Sequence, residues 1–181
     1  MAAIKAQVHT EPRHAPRRSG AEQLLHSEIG VMKVLAVIDG SERTGRVLEH
    51  LRGLALRGTK LQTVLLNVQP NPEDGRLRGY GSFKNQAIHD RLINDLGRPV
   101  VSSAGRRLDQ AGILHKERIE LGDATKTILR VAQEERCDLI LLGQARPGAV
   151  RRWLAKATGV ALGSIGSQVV QLADMPVVVV K

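Results

Sequence analysis

Aromatic side chains are nearly absent: Tyr80, Phe83 and Trp153 make up the 2% of the 181 residues that carry such a ring. The core must therefore be aliphatic, and stacking nucleic-acid bases on aromatic platforms is excluded as a main activity. Cysteine is scarcer still. The single Cys137 rules out an intrachain disulfide and a multi-cysteine metal site and fits a reducing compartment; placed just before an apolar run, it reads as a packing residue. No apolar run approaches the roughly 20 residues that cross a bilayer. The N-terminal stretch lacks the apolar centre of a signal peptide, so the expected location is the cytoplasm, with no membrane partner.

Several catalytic signatures are missing too. A dinucleotide site needs Gly-x-Gly-x-x-Gly after the first strand, where this chain reads DGSERT from Asp39. There is no Gly-Lys-[Ser/Thr] phosphate loop and no Gly-x-Ser-x-Gly elbow, and the histidines are dispersed without metal-ligand spacing. No general base announces itself, so little or no turnover is expected.

What the chain does carry is positive charge and aliphatic periodicity. A net charge of +9 favours anionic partners without choosing among them. Residues 1–31 are polar, with Pro12, Pro16 and a basic cluster at Arg13, Arg17 and Arg18, and read as a disordered extension. Met32 opens a complete strand, which makes it a candidate physiological start and makes residues 32–181 the expected domain.

Val34–Ile38 is a short continuous apolar run, as in a strand buried on both faces. Ser41 then caps a helix bearing Val47, Leu48, Leu51, Leu54 and Ala55, and Leu61–Val68 is a second strand. Lys84–Gly112 has helical spacing with a kink or restart expected at Gly97-Arg98-Pro99. A weak strand at Lys116–Leu121 follows. Asp123 caps a helix over Ala124–Glu135; Asp138–Leu142 is a strand, Ser164–Leu172 a helix and Pro176–Lys181 the last strand. Five strands alternating with helices predict an open, mostly parallel α/β sheet with helices on both faces. Ligands of such sheets bind beyond the carboxyl ends of the strands, here at the loops after Asp39, Val68, Gly122 and Gly143.

The segment from Gly143 to Ser167, GQARPGAVRRWLAKATGVALGSIGS, has four basic residues, no acidic ones, and a Gly-Ser pair before a helix. Glycines allow close backbone approach, and the free amides of a helix N-terminus attract anions. The same pair also makes an ordinary helix cap.

Taken in order, VLAVIDGS, LLNV, the Gly122-Asp123 turn with its helix, CDLILLG and GSIGSQVVQLADMPVVVV resemble the universal stress protein family over about Met32 to Lys181. The resemblance implies strand order 3-2-1-4-5 and, in nucleotide-binding members, an Asp after the first strand, a Val after the second and a Gly-x2-Gly-x9-Gly-[Ser/Thr] loop. Carried onto this chain, it implies Asp39 for the ribose or adenine side, Val68 for adenine, Gly143 at the loop's start, and Gly163 and Ser164 for phosphate. Val37, Ile38, Leu142 and Ile165 complete the implied lining. The implied ligand is ATP, or AMP or ADP, with Mg2+.

The loop departs from that pattern. Arg146 stands where the second glycine belongs, Gly148 follows two later, and the span to Gly163 is about seven residues too long. Two expectations follow. One is an adenine-nucleotide-binding protein with a stress-response or signalling role, in which Arg146, Arg151, Arg152 or Lys156 serves the phosphates. The other is a nucleotide-free interaction protein with a degenerate loop. Both are expected to be homodimers through the apolar edge Pro176–Lys181, and neither to act on nucleic acid.

Overall fold

Every strand that sequence patterning picks out pairs in parallel with its neighbour. The computed structural model describes residues 30–71, 82–144 and 165–181. Strands β1 (Val31–Val37), β2 (Lys60–Gln69), β3 (Leu114–Leu121), β4 (Leu139–Gly143) and β5 (Val177–Val180) form one sheet in the order β3-β2-β1-β4-β5. β1 lies at its centre, with Val34 opposite both Thr63 of β2 and Leu139 of β4. The helices are α1 (Glu42–Leu56), α2 (Ser82–Arg91), α3 (Arg98–Gln110), α4 (Ala124–Glu134) and α5 (Ile165–Leu172).

The central strands are apolar on both faces because each face has its own helical layer. Val34, Ala36 and Ile38 point toward α1 and α3, where they meet Val47, Leu51, Val101, Ala104 and Leu108. Leu35, Leu66, Ile140 and Leu142 point the other way, into a layer with Ile128, Val131 and Ala132 of α4 and Val169 of α5. Two-residue alternation thus builds two aliphatic cores from one run of sequence. Cys137 is buried in the second, and that burial pushes its thiol up to about 11, as suits a packing residue.

The helix starts follow their capping residues. The Ser41 hydroxyl accepts from the Arg43 amide and the Asp123 carboxylate from the Lys126 amide. The break expected at Gly97-Arg98-Pro99 takes another form. A π-helical segment, Leu92–Gly97, joins α2 to α3, and the Arg98 amide bonds the Ile93 carbonyl five residues back. Pro99 brings no N–H, and the widened turn carries the chain past that missing donor without a restart. It also seats Gly97, where a Cβ would stand 2.7 Å from Ile119 Cγ2 of β3 and 3.3 Å from Asn67 Oδ1 of β2.

β3 begins two residues before the weak strand was expected, at Leu114. Its poor apolar pattern has a cause: Lys116, Arg118 and Glu120 share the face toward α4 and exchange ion pairs with Arg130, Glu134 and Glu135. Among the described residues, no helix is long and apolar enough to cross a membrane. The expected disordered extension, residues 1–31, lies almost wholly outside the described residues.

Candidate functional site

From β1 the chain winds outward to β2 and β3, then returns to β4 on the other side of β1 and continues to β5. Loops leaving β1 and β4 therefore diverge to opposite faces and leave a crevice at the carboxyl ends of the strands. A cleft of about 640 Å³ opens there. Its walls are aliphatic: Val37 and Ile38 from β1 and its end, Val68 from β2, Leu142 from β4, Val179 from β5, Ile128 from α4, and Ile165 and Val170 from α5. Its polar groups are few: Asp39, Arg43 and Gln144 at the ends of β1 and β4 and the start of α1, and Ser167 and Gln171 on α5. An apolar slot with a small number of directed polar groups is how proteins hold a flat, heteroatom-bearing ligand.

Asp39 is held by its own turn. The backbone passes through Gly40 at φ +76°, a conformation that favours glycine, and a Cβ there would also press to 2.9 Å from Val100 Cγ2. The turn's amides at Asp39 and Gly40 donate to Thr44 Oγ1 at 3.0 and 2.9 Å. Asp39 Oδ1 accepts from the Ser41 amide at 3.0 Å, the Ser41 hydroxyl at 2.6 Å and the Thr44 hydroxyl at 3.2 Å. Asp39 Oδ2 pairs with the Arg43 guanidinium. Partial burial works upward on this carboxyl, but the Ser41 hydrogen bonds, Arg43 and Thr44 together hold it below the usual carboxylate range.

Asn67 fixes the floor. Buried to 1% exposure, it donates through Nδ2 to the Ile38 carbonyl at 2.8 Å and accepts from Gln69 Nε2 at 2.7 Å. The α5 wall is tied down by Thr125 Oγ1, which donates to Gln168 Oε1 at 2.8 Å, and by fully buried Val169. Gly143 ends β4 opposite Val180, pressed against α1: a Cβ there would lie 2.6 Å from Arg43 Cβ and 3.0 Å from the Arg43 carbonyl oxygen.

The structure thus brings together Val37, Ile38, Asp39, Val68, Leu142, Gly143 and Ile165 from the candidate set. Arg146, Gly148, Gly163 and Ser164 lie outside the described residues, as do Arg151, Arg152 and Lys156. Sequence reasoning missed Arg43, Thr44, Asn67 and Gln144. Thr44 had one signal, its place one helical turn after the turn it supports, whereas buried Asn67 inside an apolar strand announced only that something polar must face it.

The model of the universal stress protein family matches residues 30–181. Among solved structures, the universal stress protein UspA from Lactobacillus plantarum is 19% identical, with a TM-score of 0.60 over 83% of this chain and 97% of that one. A universal stress protein in complex with cAMP is 18% identical, with a TM-score of 0.55 over 82% of this chain and 95% of that one. One from Archaeoglobus fulgidus, in complex with dAMP, is 18% identical, with a TM-score of 0.55 over 83% and 98%. At such identities the likeness is one of fold. No curated protein matches the chain.

Proposed function

The chain belongs to the universal stress protein family, and from that premise we propose that the cleft between the β1 and β4 ends binds an adenine nucleotide, ATP or AMP or ADP, in a cytoplasmic stress-response or signalling role. The observation that carries this reading is the pairing of an aliphatic slot, Val37, Val68, Ile128 and Leu142, with the ionised Asp39 at its edge. The slot suits an adenine ring, and Asp39, whose Oδ1 is held by its own turn while Oδ2 meets only Arg43, suits a ribose hydroxyl. Two relatives of the same fold solved with cAMP and dAMP support the ligand class. Gly143, at the end of β4, would face the phosphate side. Among the described residues, no three His, Cys, Asp or Glu side chains come together, so a Mg2+ would enter with the phosphates that chelate it.

The role is binding rather than turnover. A carboxylate held below its usual range by four donors is a weak base, suited to orienting a hydroxyl. Thermal melts with AMP, ADP and Mg-ATP test the reading. At 100 times its dissociation constant the right nucleotide stabilises the fold by about 2.7 kcal/mol. Melts that stay flat across millimolar concentrations of all three rule it out and leave the nucleotide-free interaction protein.

Either way the protein acts as a homodimer. β5 is an edge strand with Val179 37% exposed, and Val170 and Leu172 of α5 lie exposed nearby in sequence at 51% and 62%. An apolar edge of this kind pairs readily with its own copy across a two-fold axis. Sedimentation at micromolar concentration is expected to give a dimer, and Val179→Glu a monomer. A monomeric wild type removes the dimer from both readings.

A further inference from the structure

Arg43 links two parts of the cleft, the end of β4 and the Asp39 turn. Its backbone is pressed on Gly143, where β4 ends, while its guanidinium turns back to Asp39 Oδ2 and its Nε donates to Ser41 Oγ at 3.1 Å. The side chain is 41% exposed and long, so exchanging one oxygen partner for another requires rotamer changes alone. Asp39 Oδ1 is already engaged by three donors, which leaves Oδ2 as the oxygen that Arg43 and an incoming hydroxyl must share.

Resting on the nucleotide reading above, we propose that Arg43 determines specificity for a 5′-phosphorylated ligand: its guanidinium passes from Asp39 Oδ2 to the ligand's α-phosphate, and the freed carboxylate oxygen takes the ribose hydroxyl. A nucleoside offers no oxyanion to receive the guanidinium, so it must compete with the Asp39–Arg43 pair. A nucleotide exchanges one charge-assisted pair for another and gains the hydroxyl bond. Arginine suits this exchange because its planar fork fits carboxylate and phosphate alike.

The test is calorimetric titration of the full chain with AMP and with adenosine. Wild type is expected to bind AMP about tenfold more tightly than adenosine, on the order of one charge-assisted contact. Arg43→Gln should bring that ratio close to one, chiefly by weakening AMP. Arg43→Lys should keep part of the preference, which shows that a change in the glutamine variant is not a folding defect. Asp39→Asn should move the ratio the other way, because it weakens adenosine while releasing Arg43. An unchanged AMP-to-adenosine ratio in Arg43→Gln overturns this assignment and leaves the nucleotide site standing. Failure of wild type to bind either compound also overturns this assignment, and melts that stay flat with ADP and Mg-ATP as well overturn the nucleotide site with it.

Discussion

Gly143→Val is expected to lower the unfolding free energy by about 3 kcal/mol and to abolish any response to nucleotide. The first branch of that side chain has nowhere to go. A Cβ at this position would stand 2.6 Å from Arg43 Cβ, 3.0 Å from the Arg43 carbonyl oxygen and 3.1 Å from its Cα, all at the root of α1 rather than at the end of a flexible side chain. Relief requires the start of α1 to move off the sheet, and that start carries Ser41, Arg43 and Thr44, the residues that set Asp39. It also carries Arg46, whose guanidinium donates to the Gln144 carbonyl at 3.0 Å. Gly143→Ala meets the same atoms with less bulk and should cost about 1–2 kcal/mol. Urea unfolding of both variants checks the gradation. If Gly143→Ala matches wild type in stability yet loses the ligand, the glycine serves phosphate approach alone and the packing account fails.

Gly143 also shows how far the sequence could be read. Its place at the end of an apolar strand was legible, since Asp138–Leu142 and the Gly that follows mark a strand and its exit. The same logic placed Asp39 after β1 and Val68 near the end of β2, and all three line one cleft because parallel strands bring their carboxyl ends together. Capping chemistry is local, so Ser41 and Asp123 were legible too. Contacts between distant segments were not. Nothing in the spacing of Arg43 says that its backbone meets Gly143, about a hundred residues away, and nothing in the run LLNV says that Asn67 holds the Ile38 carbonyl. The kink or restart expected at Gly97-Arg98-Pro99 became a π-helical segment for a related reason: proline marks the missing donor, while the chain absorbs the defect in the turn before it.

Acid is expected to weaken the fold through the ion-pair face between β3 and α4, with Glu135 as its most responsive member. Only 11% exposed, Glu135 caps the end of α4 and gathers cations from two strands: Lys116 Nζ at 2.6 Å and Arg118 Nη1 at 3.0 Å on Oε1, and Lys33 Nζ at 3.3 Å on Oε2. The Lys116 hydrogen bond is the largest influence on its carboxyl. Burial opposes it, but Lys33 and Arg118 add to it, and the result is a carboxyl lowered from 4.5 to about 2. A carboxyl more acidic in the folded state than in the unfolded chain stabilises the fold at pH values above the unfolded value. That contribution fades as pH falls from about 4.5 toward 2, where protons neutralise the folded form as well. The full shift corresponds to about 3 kcal/mol, and solvent at the rim of the cluster reduces this to about 2 kcal/mol. Glu135→Gln should therefore be less stable than wild type by about 2 kcal/mol at pH 7. The gap should narrow steadily below pH 4.5, because wild type comes to carry the same neutral group as the variant. Arg118 sharpens the expectation, since its guanidinium also pairs with Glu120 and Glu134 at 2.6 Å each, and both carboxyls are lowered in turn. Urea midpoints from pH 7 to pH 3 measure the gap directly, and a difference that does not change across that range would assign the loss in Glu135→Gln to packing instead of charge.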